Sequence, residues 1–120
     1  MQLISKYLLI TEVDHDGKHI VKVKVSAITS NNSTQAIITR ENVISLMKDG
    51  YPFYTEGIDM GQPCLTPVNK YLVGKEWFIK TEQNDDAFDN LGNLPSITEI
   101  PGEHPLNYNG LYLWLARFFW

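Results

Sequence analysis

The run Asp14-His15-Asp16-Gly17, set between two stretches of β-forming residues, constrains the fold of this chain more than any other feature. Asp-Gly supplies the positive φ of a tight turn, so the segments on either side are expected to pair as an antiparallel hairpin. The arm before it, Tyr7 to Val13, is rich in β-formers. In the arm after it, His19, Val21, Val23 and Val25 alternate with Ile20, Lys22, Lys24 and Ser26. Period two with lysines on one side is the pattern of a strand with one buried and one wet face, and it assigns His19 and the valines to the same face.

The pattern changes after Thr39. Its hydroxyl can accept a bond from an orphan N–H of a following turn, and Glu41 then sits where negative charge suits the helix dipole. Val43, Ile44, Leu46 and Met47 follow at helical spacing, Lys48 falls in the last turn, and Gly50 is placed as the residue that ends a helix at positive φ. The spacing predicts one helix over about Arg40 to Asp49, with a short strand at Ala36-Ile37-Ile38 before it and a strand opening at Pro52-Phe53-Tyr54-Thr55 after it. Gly57, Gly61, Pro63 and Pro67 predict a loop near Ile58-Asp59-Met60. Val68 to Val73 and Glu76 to Thr81 read as strands joined through Gly74-Lys75, where Gly in first position matches a type II′ turn. Beyond Thr81 the chain is polar and turn-rich, anchored by Phe88, Leu91 and Leu94, with Asp89-Asn90 expected to turn and cap the backbone locally.

At 120 residues, with 43% hydrophobic and 20% charged, the chain can bury one core without disulfide or metal staples. We therefore expect a single α+β domain over residues 1–120: a mainly antiparallel sheet of four to six strands, one short helix packed on a face, and an apolar C-terminal extension over 98–120. Ten Lys and Arg against fourteen Asp and Glu leave a net charge of −4, which argues against a general binder of the phosphate backbone. The N-terminal apolar run is short and is followed by Glu12 and Asp14 rather than a cleavage site, and no stretch reaches the roughly 18 apolar residues of a spanning helix. With the single Cys64 unable to form an internal disulfide, a cytoplasmic location is expected.

Several pieces, taken in order, resemble a small bacterial domain-of-unknown-function family of about eighty residues. They are Ile10-Thr11-Glu12-Val13, the pair His19-Ile20, Thr39-Arg40-Glu41-Asn42-Val43-Ile44, and Gly50-Tyr51-Pro52-Phe53-Tyr54-Thr55. Phe78-Ile79-Lys80-Thr81 follows, leading to Asp89-Asn90-Leu91-Gly92-Asn93-Leu94-Pro95, the most specific piece. The likeness covers about residues 7–97. It implies a compact sheet with one helix, and no established activity or catalytic residues.

Residues that could carry chemistry have ordinary roles available to them. His15, His19 and His104 lack the close spacing of metal ligands; His19 is expected to pack at the sheet edge and the other two to be solvated. Cys64, between Pro63 and Leu65, suits a small buried residue. Asp85, Asp86 and Asp89 with Asn84 and Asn90 lack the alternation and the glycine of a calcium loop. No phosphate-cradling, hydrolase or zinc-protease motif is present, so no catalytic, cofactor or metal residues are assigned. Lys18, Lys22 and Lys24 form a small basic stripe, ordinary for an outer sheet face, and nucleic acid is not the expected partner.

The last eleven residues are the unusual feature. Gly110 to Trp120 carries one charge, and neither a helix nor a strand gives it a polar face. Such a segment must be buried, self-associated or lipid-facing; the plain reading is that it closes the core, and its aromatic and Arg content is also that of an interface hot spot. Trp114, Arg117, Phe118 and Trp120 are the candidate partner-binding residues. The expected function is a small non-enzymatic protein-interaction or regulatory module, with a protein partner or self-association through the tail. The alternatives are an inhibitor of a host or defence protein borne by a phage or mobile element, and a ligand-binding protein or enzyme with a pocket around Trp77, Tyr54 and Cys64.

Overall fold

The computed structural model describes residues 6–29, 33–81, 86–92, 94–97 and 105–119. They form strands β1 (Tyr7–His15), β2 (Ile20–Ile28) and β3 (Ser33–Thr39), helix α1 (Arg40–Lys48), strands β4 (Phe53–Asp59), β5 (Gln62–Val73) and β6 (Glu76–Lys80), and helix α2 (Tyr108–Phe119). The strands make one mixed sheet in the order β3-β2-β1-β4-β5-β6. All neighbours run antiparallel except β1 and β4, whose parallel pairing follows from the crossover through α1. No helix among the described residues is long and apolar enough to cross a membrane.

The first hairpin forms where expected. Gly17 sits at φ 102°, and Asp16 Oδ1 accepts the N–H groups of Lys18 and His19 at 2.8 and 2.6 Å. Its facing is different at the start. Ile20 is buried and Val21 is 52% exposed, because the register shifts at the turn: Asp14 stands opposite Lys22 but His15 opposite Ile20. A strand's side chains alternate, so one such shift moves the residues beyond it to the other face. From Val23 onward the expected alternation returns, with Val23, Val25 and Ala27 in the core, although Lys24 and Ser26 are buried as well.

Helix α1 is closed at both ends as its sequence requires. Thr39 Oγ1 accepts the N–H of Asn42 at 3.3 Å. At the other end Tyr51 N–H reaches the Leu46 carbonyl and Gly50 N–H the Met47 carbonyl, the paired bonds of a Schellman cap with Gly50 at φ 94°. Val43 and Leu46 are its buried side chains.

The segment around Ile58, Asp59 and Met60 corrects the expectation of a loop. Here β4 and β5 form a long hairpin, turning on Met60 and Gly61 alone, both at positive φ. The prolines that suggested a break lie in β5 where the ladder does not need their N–H. Residues flanking a two-residue turn form a hydrogen-bonded pair, and bonded and non-bonded pairs alternate from there. Asp59–Gln62, Gly57–Cys64 and Thr55–Thr66 are then bonded, while Pro63 opposite Ile58 and Pro67 opposite Tyr54 fall at non-bonded rungs. The Gly74-Lys75 connection holds as a two-residue turn, with Gly74 at φ 67°.

The tail is a second helix, beyond the one expected. Leu111 and Leu115, one turn apart, are buried in the same cluster as Val43 and Leu46 of α1 and Leu8, Val25 and Phe53 of the sheet. Leu106, just before α2, donates its N–H to the Ile37 carbonyl on the outer edge of β3 at 2.8 Å.

Candidate functional site

The densest polar constellation gathers around Asp89. This residue lies on a strap, residues 86–92 and 94–97, that follows β6. Its backbone is stitched to three places: Asp89 N–H to the Lys18 carbonyl, Asn90 N–H to Ile79 with Thr81 N–H returning to Asn90, and Val13 N–H to Pro95. The Asp89 side chain, 1% exposed as a residue, is therefore carried into the gap between the first hairpin, β6 and the start of α1.

There the carboxylate meets four donors. Oδ2 accepts Ile20 N–H and Arg40 Nε–H, each at 2.7 Å. Oδ1 accepts Ile79 N–H at 2.7 Å and Arg40 Nη2 at 3.2 Å. Arg40 also gives Nη2 to the Trp77 carbonyl at 2.6 Å. A buried carboxylate demands this many donors, since each lone pair left without one would cost on the order of 1–3 kcal/mol. The bond to Asp89 raises the guanidinium pKa above its ordinary value, outweighing burial, which acts the other way. Asp89 was expected to act locally; it acts across the whole fold instead. The local Asx turn belongs to Asn90, whose Oδ1 accepts Gly92 N–H at 2.9 Å.

Of the two histidines at the turn, His15 joins the same node and His19 bonds beside it. His15 Nδ1 accepts Gly17 N–H at 2.9 Å, which leaves Nε2 to carry the proton it donates to the Asp89 carbonyl at 2.8 Å. His19 stacks flat on Phe78, centroids 5.7 Å apart, and bonds through Nε2 to Glu76. A cleft of about 350 Å³ opens beside the strap, bordered by Val13, His15, Phe88, Asn90, Leu94 and Ser96 among others. Its wall includes Asp89, whose oxygens are already occupied. This arrangement fastens the chain; it presents no free carboxylate as a general base. Lys80, fully buried in β6, similarly spends a bond on the Asp86 carbonyl at 2.5 Å.

The basic stripe is neutralised where it stands. Lys22 pairs with Asp14 at 3.6 Å and Lys24 with Glu12 at 3.5 Å across the β1–β2 ladder, and Lys18 lies 3.8 Å from Glu76. Among the described residues no three His, Cys, Asp or Glu side chains are grouped to hold a metal ion. His104, Asn84 and Asp85 lie outside the described residues.

Trp77, Tyr54 and Cys64 are not brought together: they stand opposite Leu72, Pro67 and Gly57. Tyr54 borders a cleft of about 350 Å³ with Tyr51, Pro52 and Asn69, and neither Trp77 nor Cys64 lines it. Trp77 instead lies under the Lys70 ammonium, 4.4 Å from its ring centroid. Of the tail residues, Trp114 packs against the core cluster and Arg117 is exposed. Phe118 belongs to α2, and Trp120 lies outside the described residues.

The two segments joined by Arg40 and Asp89 are pieces that carried the family likeness, and a family model spans them both. This chain belongs to the family described as "Protein of unknown function (DUF3892)", matched over residues 9–95. In this DUF3892 chain the match takes in the whole sheet from Leu9 onward, α1 and the strap to Pro95, while α2 follows it. No curated protein and no solved structure matches the chain.

Proposed function

We propose that this DUF3892 domain is a non-enzymatic protein-interaction module of the cytoplasm, whose partner surface includes the outward side of α2. The observation that carries this reading is the division of that helix. Leu111 and Leu115 face the core, while Leu113 stands 70% exposed with Arg117 also in water. A helix that needed only to close the core would be expected to carry polar residues outside. An apolar side chain beside an arginine is the chemistry that anchors interfaces. The polar groups that could have served catalysis, Asp89, His15 and His19, are held in internal bonds.

The test uses the full chain and the double variant Leu113→Glu, Arg117→Glu, which spares the buried Leu111 and Leu115. Both are used to capture partners from source cells and are run side by side in sedimentation. Loss of a captured protein or of self-association, with an unchanged melt, is the expected result. Identical capture and identical sedimentation by both proteins would overturn the reading.

A further inference from the structure

The β5–β6 hairpin ends in an apolar pair that faces water. Leu72 and Trp77 stand opposite each other, one rung from the Gly74-Lys75 turn, and are 55% and 38% exposed. The two-residue turn makes Val73–Glu76 a hydrogen-bonded rung, so Leu72–Trp77 is a non-bonded one, where facing side chains lie closest. Alternation puts Trp77 on the face of Ile79, which is buried in the core. It sends Glu76 to the other face, where its carboxylate is spent on His19 and Lys18. The core face of the sheet thus runs out into solvent at this rung.

Trp77 is held in place there. Its carbonyl, turned outward by the phase of the ladder, accepts Arg40 Nη2–H at 2.6 Å, and the Lys70 ammonium lies 4.4 Å from its ring centroid. Lys70 is one of two lysines beside the pair; the other is Lys75, exposed in the turn. Neither has a carboxylate partner among the described residues, whereas Lys18, Lys22 and Lys24 each have one. Lys70 also borders the cleft of about 350 Å³ lined by Tyr51, Pro52 and Tyr54, so a concave space opens alongside the pair. Tryptophan is among the residues that most often anchor an interface, and a side chain already ordered has less freedom to lose on binding.

We propose that this rung docks an acidic segment of a partner protein, with apolar side chains laid on Trp77 and Leu72 and carboxylates set against Lys70 and Lys75. Charge decides the occupant. The chain carries −4 overall, but the field of an exposed charge dies away within about 8–10 Å in physiological salt, so the two lysines dominate locally. A second copy docked symmetrically through this patch would bring lysine against lysine. Nucleic acid draws its affinity from many phosphate contacts, and two lysines supply few. The surface is made by β5 and β6 and stands or falls without α2.

The probe is a capped heptapeptide of alternating glutamate and leucine, with a lysine–leucine heptapeptide as its counterpart. Saturation with the glutamate peptide is expected to shift the indole N–H resonance of Trp77, identified by its loss in Trp77→Phe, and to leave that of Trp114 in place. Trp77→Ala is expected to weaken binding at least about tenfold, the scale of a single anchor residue. The paired change Lys70→Glu, Lys75→Glu keeps the tryptophan and should turn the preference to the lysine peptide, which tests the charge argument even if Trp77→Ala misfolds. Leu113→Glu should bind the glutamate peptide as wild type does. An unshifted Trp77 resonance at millimolar peptide, or equal binding of the glutamate peptide by the charge-reversed protein, would overturn the proposal. So would tighter binding of an oligothymidylate, which would make the occupant a nucleic acid. Dimerisation abolished by Trp77→Ala would overturn it as well, by making the occupant a second copy.

Discussion

Arg40 and Asp89, 49 positions apart, form a two-bond pair in which the carboxylate simultaneously collects the N–H groups of Ile20 and Ile79. One side chain thereby joins the first hairpin, the start of α1 and β6. The pair cannot be judged as an isolated salt bridge, since a buried pair often gains little over a hydrophobic replacement. Its importance lies in what remains when one member is lost.

Asp89→Asn replaces one accepting oxygen by a donor that faces Arg40 together with either Ile20 N–H or Ile79 N–H. The expected loss is about 3 kcal/mol, the scale of leaving a buried charge uncompensated. Urea melts of the single variants and the Arg40→Met, Asp89→Leu double variant measure it. The double variant should be no less stable than the worse single one; if Asp89→Asn melts as wild type does, the node is unimportant to the fold.

The helix end makes a second case. Gly50 holds φ 94° with open space where a Cβ would sit, so Gly50→Val is strained by its backbone and not by a clash. A cost of about 1–2 kcal/mol follows from the left-handed conformation. A melt within a degree or two of wild type would refute the cap.

Asp16 yields a pH prediction. Bonds from the backbone of His19 and Lys18 lower its pKa below the ordinary 3.8. A folded-state pKa below the unfolded one means its stabilisation is present above about pH 3.8 and disappears as pH falls through the lower folded value. Asp16→Ala should therefore melt lower than wild type at pH 7, with the gap narrowing steadily below pH 4. A gap independent of pH would show that the carboxylate's charge contributes nothing.

The two sides of α2 should separate cleanly. Leu115→Ala, at a fully buried position, is expected to cost about 3 kcal/mol through lost burial and a residual cavity. Leu113→Glu should change stability by no more than about 0.5 kcal/mol, being a surface substitution. Equal effects from the two would mean that α2 does not sit as described.

Much of the architecture was legible in local chemistry. The Asp-Gly turn, the Thr39 cap, the Gly50 cap and the Gly74 turn each depend on one or two residues and their neighbours, and each formed where its sequence indicated. What escaped depends on long-range pairing. Pro63 and Pro67 read as breakers because the rung of a partner strand is invisible in a sequence, and the shift that exposes Val21 shows only in the pairing of β2 with β1. The tail's all-round apolarity left helix and strand equally open, and burial of Leu111 and Leu115 decided between them. Asp89 was misjudged for the same reason: its motif was visible, but its donors come from three distant segments.

The strap's dependence on those distant segments also determines when it can form. Its anchors, Lys18, Ile20, Arg40 and Ile79, must already be in place before Asp89 has anything to bond, whereas the hairpins need only their own turns. Docking of the strap should then follow the main folding barrier, and a contact made after the barrier affects mostly the rate of unfolding. In stopped-flow measurements Asp89→Asn is expected to speed unfolding and leave refolding nearly unchanged. That outcome would mean that the protein comes undone from its last-placed segment, and that the lifetime of the folded state depends on one carboxylate near the end of the sheet.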